Sequence, residues 1–543
     1  MRGSRHVRGA AGALAMALAA TGCGVIVGTS GGANGGAVLS SSWGDPQNPL
    51  EPANTNEVQG GKVLDMIFRG LKKYDPRTGR AQNWLARSIE TEDSRNYTVR
   101  IKKGWTFSNG EKVTARSFVD AWNYGASLRN NQKNAYFFGY IDGYDRVHPD
   151  SGRQSAPALS GLKVVDDHTF TVQLNQKFSG FPDTLGYAAF APLPRVFFTD
   201  HAAWVKKPVG NGPYTVESYT RGSQMYLRKW DGYPGTDKAR NDGVTLMVYT
   251  DSNTAYTDLL AGNLDLVDDI PAAQLKNVEG DLGDRYINTP AGIIQTLAFP
   301  YYDKAWNRPG SAKVRTGLSM AINRRQITEM IFRGTRTPAT DWTSPVLGVD
   351  GGFKAGLCGR ACDYDPARAK QLIKEGGGIP GGQVKITYNA DSGSHRQWVD
   401  AVCNSVNNAL GNDRACVGNP VGTFADFRKQ IGQHTMTGPF RAGWQMDYPL
   451  IQNFLQPLYY TGASSNDGKW SDREFDRLVD RANARTDTAE AVAGFQEAEK
   501  VVRDQMAAIP LWYQNGNAGY SDRLSHVALN PFSVPVYNEI KVG

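Results

Sequence analysis

The chain has 543 residues, 40% of them apolar and 21% charged, with a formal charge of +7. That length is enough to bury large cores and suggests roughly two to four domains. The basic excess is mild and unclustered, so it makes no case for nucleic acid binding, and no apolar run reaches the ~20 residues needed to cross a bilayer.

Arg2, Arg5 and Arg8 open the chain, and Ala10 to Ala20 form a short apolar stretch. This is the pattern of an export signal over residues 1–22. Ala20-Thr21-Gly22-Cys23 resembles a lipobox, with Ala20 standing where Leu is usual, which would make Cys23 the diacylated mature N-terminus. Residues 23–36 are Gly-rich and have the composition of a flexible tether. A lipid anchor on Cys23 would hold the exported protein at the outer face of the cell membrane. Cys358, Cys362, Cys403 and Cys416 remain. In an oxidising compartment the parsimonious pairing is local, Cys358 with Cys362 and Cys403 with Cys416, with three connectivities open. The spacing and the absence of adjacent His argue against a metal site.

Ala37 to Ser42 reads as a strand, and Asn56 to Gly70 has helical spacing at Val58, Val63, Met66 and Ile67. Tyr97 to Ile101 alternates as a strand. Gly104 to Phe107 is expected as a second strand, closed by the Asn109-Gly110 turn, with Thr114 capping a helix over 115–124. Leu162 to Leu174 reads as a hairpin, and the glycines of Val209-Gly210-Asn211-Gly212-Pro213-Tyr214 suggest backbone angles closed to other residues. Val244 to Tyr249 is a strand and Thr254 to Leu264 a helix. Further helices are expected over 313–324, 367–375, 396–410, 470–483 and 489–504, and strands over 384–389 and 509–513.

The stretch Arg441 to Leu455, RAGWQMDYPLIQNFL, carries the chemistry. Pro449 pushes Tyr448 towards extended backbone, so the segment reads as a strand end entering an irregular loop. A carboxylate among aromatics needs a cation. For Asp447 that cation is either Arg441, in an internal ion pair, or the ammonium of a ligand. The one Gly-x-Ser-x-Gly, Gly28 to Gly32, lies in the Gly-rich stretch and not between an expected strand and helix, and no His-Glu-x-x-His or Walker motif occurs, so neither a hydrolase nor an ATPase is supported.

RAGWQMDYPLIQNFL resembles the substrate-cleft segment of the bacterial extracellular solute-binding proteins of the oligopeptide/dipeptide/nickel class. Leu85 to Trp122 is similar to that family's signature region, departing at Asn109 and Ser117, where Asp is usual. Val209 to Tyr214 resembles its Gly-Thr/Asn-Gly-Pro/Ala-Tyr turn, and Lys313 to Arg324 the helix opening its second lobe. The resemblance runs over nearly all of the mature chain. It implies an α/β (mixed α+β), two-lobed periplasmic-binding-protein-like fold with a hinge. Lobe I would comprise 37–45, 189–290 and 510–543, the extra subdomain 46–188, and lobe II 291–509.

It further implies peptide binding without catalysis, metal or cofactor. Asp447 would take the peptide ammonium. Arg441 would lie near the peptide carboxylate, Asn389 would take the Asn position of the strand-loop at the site, and His395 would meet the carboxylate if one inserted residue is allowed. Trp444 and Tyr448 would line the site, and Trp43 to Gln47 would face them. The implied partners are a membrane permease and its ATPase subunits, with the chain a monomer. Same-family binders of oligosaccharide, haem or nickel chelate, a peptide-signal receptor, and more remotely an exported hydrolase are the rival readings.

Overall fold

The computed structural model describes residues 37–543, apart from 391–394 and the side chain at position 425. The expected leader, Cys23 and the tether lie outside the described residues, as does most of the loop after Asn389. An 11-stranded mixed sheet runs through the molecule. From one edge its strands are Cys416–Val421, Val384–Asn389, Phe440–Gln445, Tyr286–Ala298, Ala508–Tyr520, Leu266–Val267, Val38–Trp43, Gly243–Val248, Gln224–Lys229 and Tyr214–Thr220. Arg336–Pro338 attaches to the side of Ala508–Tyr520.

Two separate apolar cores divide this sheet into lobes. The first joins residues between Leu39 and Leu266 with Ala518 to Ile540, and the second runs from Ile294 to Tyr513. Side chains from 46–188 belong to the first core without a break, among them Trp122, Phe138 and Phe170. A smaller four-stranded antiparallel sheet lies within this stretch, with Asn96–Ile101 between Ala86–Glu90 and Thr169–Gln173, and Leu162–Asp166 outermost.

Two 13-residue strands, Tyr286–Ala298 and Ala508–Tyr520, pair antiparallel and pass from one lobe to the other. Sequence periodicity picks out only fragments of each. Their ladder skips between Pro290 and Ile293, because proline has no N–H to donate and the pairing cannot continue through it. The irregularity falls where the strands leave one core for the other, which makes it the natural hinge.

Several local expectations change in physical detail. Gly104 to Phe107 is not a strand; only a single bridge, Thr106 with Lys112, brackets the Asn109-Gly110 turn. Gly110 there has φ of +86°, so the turn itself is as read. Thr114 caps the helix Ala115–Ala126, and Ser117 Oγ accepts the Thr114 N–H at 3.1 Å, so the Ser117 hydroxyl supplies the return bond of the cap. Gly210 and Gly212 do not adopt positive φ. They are needed for close approach instead: a Cβ on Gly210 would lie 1.9 Å from the Ile67 carbonyl oxygen, and Gly212 N–H donates to that oxygen at 2.8 Å. The turn thereby closes the C-terminal end of the helix Val58–Ile67. Cys358 joins Cys362, and Cys403 joins Cys416, across Cα separations of 5.7 and 4.8 Å.

Candidate functional site

The segment after strand Phe440–Gln445 is held in place by the hinge. Gln445 and Trp444 pair with Ile293 and Ile294, and the Met446 N–H donates to the Gly292 carbonyl at 2.8 Å. A Cβ on Gly292 would stand 2.4 Å from Met446 Sδ, so glycine is what allows this approach. Residues 446–450 then turn without regular structure, and the chain enters the helix Ile451–Tyr459, which the irregular-loop reading did not anticipate.

The helix carries the residue that organises the site. Asn453 is fully buried, at 0% exposure. Its Oδ1 accepts both the Asp447 N–H at 2.8 Å and the Trp444 indole N–H at 3.0 Å, and its Nδ2 donates to Asp447 Oδ2 at 3.1 Å. Nothing in the local sequence pattern marks this asparagine, because its partners are brought to it by the turn at Pro449.

Asp447 has no Lys, Arg or His nitrogen within ion-pair distance among the described residues. Desolvation pushes its carboxyl up to about 7, against the opposing effect of the Asn453 bond. The internal ion pair with Arg441 is therefore not formed. Arg441 Nε donates to Asn389 Oδ1 at 2.9 Å, and its guanidinium lies over Phe424 and Phe427 at 5.5 and 5.6 Å.

Around Asp447 stand phenols from the first lobe. Burial raises Tyr74, Tyr136 and Tyr187 well above the ordinary tyrosine value, and the nearby Asp447 charge adds to each shift. Tyr136 is nevertheless 36% exposed. Tyr136 thus keeps contact with solvent while its hydroxyl side is shielded by the packed chains around it. Sequence reasoning missed these three, whose only local signal is the abundance of tyrosine.

The remaining expected residues are distributed as follows. Trp444 is half-buried, with its N–H spent on Asn453. Tyr448 is buried among first-lobe side chains, and its hydroxyl donates to Gln452 Oε1 at 2.5 Å. It is thus a second-lobe residue packed in the first-lobe core. Asn389 and Arg441 come together at the carboxyl end of strand Val384–Asn389. His395 begins the helix His395–Leu410, and its Nδ1 accepts the Trp398 indole N–H at 3.0 Å. Trp43 does not present an open face to Asp447. It is 4% exposed, its N–H donates to the Gln59 carbonyl at 2.9 Å, and its ring meets Tyr219 edge-on. The side chain is consumed by lobe I packing, and the tyrosines occupy the facing position it was expected to hold.

The lobes also touch directly: Gln452 Nε2 donates to Tyr140 Oη at 3.1 Å, and the Ser179 N–H donates to the Asn483 carbonyl at 3.3 Å. A hinged pair of lobes meeting beside a half-buried carboxylate that has no cation of its own suits a protein that closes on a ligand. Residues 80–466 match the family model for bacterial extracellular solute-binding proteins, family 5 (middle region), and the chain belongs to that family. It is 25% identical over 486 residues to the oligopeptide-binding protein OppA of Bacillus subtilis, covering 86% of this chain and 85% of the relative. The fold matches the Escherichia coli murein tripeptide binding protein MppA with a TM-score of 0.80, at 21% identity, over 94% of this chain and 99% of that one. It also matches Haemophilus influenzae OppA in complex with the peptide RPPGFSPFR, with a TM-score of 0.77 and 19% identity, over 94% and 99% of the two chains.

Proposed function

We propose that this chain is the extracytoplasmic binding component of an ABC importer, capturing di- or oligopeptides between its lobes and handing them to a membrane permease with its ATPase subunits. The observation that carries the reading is Asp447: a half-buried, desolvated carboxylate beside first-lobe tyrosines, held by Asn453 and given no cation by the protein. A peptide α-ammonium is the complementary charge, and the main chain of the peptide can be held by backbone hydrogen bonds whatever its side chains. Arg441 and Asn389 supply donors suited to the other end of a peptide, with His395 beside them in sequence. Recognition needs no bond to break, so the protein binds and releases rather than catalyses. Membership of an extracellular family supports export, and the residues around Cys23 support a lipid anchor with residues 24–36 as the leash. Residues 46–188 serve as the extra subdomain of lobe I, and a monomer suffices for the cycle.

Calorimetry with a free-amine tripeptide and its N-acetylated analogue tests the assignment. Leaving a buried carboxylate unpaired costs about 2–5 kcal/mol. Wild type should therefore prefer the free amine strongly, and Asp447→Ala should erase that preference. Equal losses for both ligands would remove Asp447 from the role. The tyrosine-lined wall also suits an oligosaccharide, whose rings stack on aromatics. Native mass spectrometry of the purified protein separates the two by the mass of the retained ligand.

A further inference from the structure

Two charged side chains, one from each lobe, stand near the hinge: a solvent-reachable carboxylate, Asp269, and Arg336, whose Nη1 is buried without an acceptor. Strand Leu266–Val267 of lobe I and strand Arg336–Pro338 of lobe II attach to the same edge of Ala508–Tyr520, since its other edge is taken by Tyr286–Ala298. The first pairs with Gly519 and Tyr520, the second with Trp512 to Gln514, which leaves an opening over the intervening residues. Asp269 borders this opening on one side: the next residue, Ile270, donates its N–H to Asn517 Oδ1 at 2.6 Å. Arg336 enters from the other, opposite Gln514, with its guanidinium over the Phe332 ring at 4.1 Å. Attachment points three residues apart on one strand are roughly 10 Å apart, close enough for both side chains to reach a common space. The opening lies at the carboxyl end of Leu266–Val267, which runs parallel to Val38–Trp43, and ligands of α/β sheets bind beyond such ends.

Neither group is satisfied by the protein. The Asp269 carboxylate makes no hydrogen bond or ion pair among the described residues, and Arg336 Nη1 is buried with no acceptor. Asp269 is exposed, yet desolvation pushes it up to about 6, Asp268 adding to the shift and Arg336 and Lys62 opposing it. Burial lowers Arg336 to about 10, and Asp269 is the charge that opposes this. The two charges feel each other without touching. The adjacent buried Lys62 and Asp268 are already paired with each other. The four charges together sum to zero, so the opening favours neither a lone cation nor a lone anion.

We propose that Asp269 and Arg336 form a side-chain subsite for a neutral group with a donor beside an acceptor, a primary carboxamide, whose N–H would meet Asp269 and whose C=O would meet Arg336. The proposal rests on the peptide-binding reading and adds a preference within it. Unpaired polar groups in a site built for a hydrogen-bonding partner reject ligands that cannot complete them.

The test uses free-amine tripeptides of alanine with Gln, Lys or Glu at the second or third position, titrated into wild type, Asp269→Asn and Arg336→Gln. Wild type should bind one Gln peptide about tenfold more tightly than its Lys and Glu counterparts. Asp269→Asn leaves a net positive site and should move the Glu-to-Lys affinity ratio about tenfold towards Glu; Arg336→Gln should move it about tenfold the other way. Ratios unchanged from wild type in both variants would overturn the subsite. So would equal losses across all peptides, which would mean that the pair only helps hold the lobes together. Every peptide carries the same free amine, so a failure of Asp447 as the ammonium anchor would appear in the acetylation experiment and leave these ratios intact. Wild type binding none of the peptides would overturn the parent reading and the subsite with it.

Discussion

Asn453 holds Asp447 from two directions, accepting its backbone N–H at 2.8 Å and donating to its carboxylate at 3.1 Å. The same amide oxygen fixes the Trp444 indole. One buried side chain therefore sets both the direction of the anionic group and the wall beside it. Replacing it with alanine frees the carboxylate and leaves a half-buried indole N–H without its acceptor, at a cost of up to about 1–3 kcal/mol per stranded group. Asn453→Ala should weaken a free-amine peptide at least tenfold while leaving the fold intact by circular dichroism. Unchanged affinity in calorimetry would show that Asp447 is held by other means.

Peptide affinity should depend on pH through Asp447. Its folded value of about 7 lies above the ordinary carboxylate range, so the group is largely neutral below that pH and must ionise to meet an ammonium. Affinity for a free-amine peptide should rise as pH increases from about 5 to about 7.5, by up to roughly tenfold per unit, and binding near neutrality should release a proton. Titrations in buffers of different ionisation enthalpy count that proton directly. An N-acetylated peptide should show neither effect.

Asp341 and Glu499 form a second acidic pair, both at 0% exposure within the second lobe. Tyr513 Oη donates to Asp341 Oδ1 at 2.6 Å, and the Trp342 N–H donates to Glu499 Oε1 at 2.9 Å, while Asp341 Oδ2 and Glu499 Oε2 have no partner. Burial pushes Asp341 up to about 7 and raises Glu499 well above its ordinary value, with the Asp341 charge adding to the latter. Folded values above the unfolded ones mean that the native state holds the extra protons. The pair's contribution is thus most favourable below about pH 4 and declines as pH rises through about 7. Asp341→Asn keeps an acceptor for Tyr513 and removes one charge. It should raise the melting temperature at about pH 8 relative to wild type, by the equivalent of at least about 1 kcal/mol, and change it less at about pH 5. Scanning calorimetry at the two pH values decides this, and a parallel shift at both would count against the charge.

The lobes are latched at Tyr140, whose hydroxyl takes a hydrogen bond from Gln452 at 3.1 Å. Tyr140→Phe removes the hydroxyl that Gln452 and Gln456 approach and leaves the ring in place, a loss of about 0.5–1.5 kcal/mol per bond. Peptide dissociation measured by stopped flow should speed up about two- to tenfold, with little change in association. An unaltered off-rate would mean that this contact does not report on opening.

How much of the protein is legible along the chain follows from where its forces act. The strand Val384–Asn389, the cap at Thr114, the Asn109-Gly110 turn and the helices of the second lobe are set by neighbouring residues, so periodicity, capping and turn chemistry disclose them. The motif around Asp447 singled out a carboxylate in need of a cation, and its conflict with buried surroundings could be read from residue types alone. Whether Arg441 would supply that cation could not, because the answer depends on Asn389 drawing the guanidinium away and on Asn453 turning the carboxylate, through a helix that begins only after Pro449. Trp43 looked like a ligand contact and is a packing residue, while Tyr74, Tyr136 and Tyr187 had no local mark and stand by the anion. Sequence by itself determined the elements and the charge to be satisfied, since those are written in short-range geometry and residue chemistry. Tertiary structure alone decided what surrounds that charge, since desolvation is imposed by side chains hundreds of positions away and exists only once the two lobes meet.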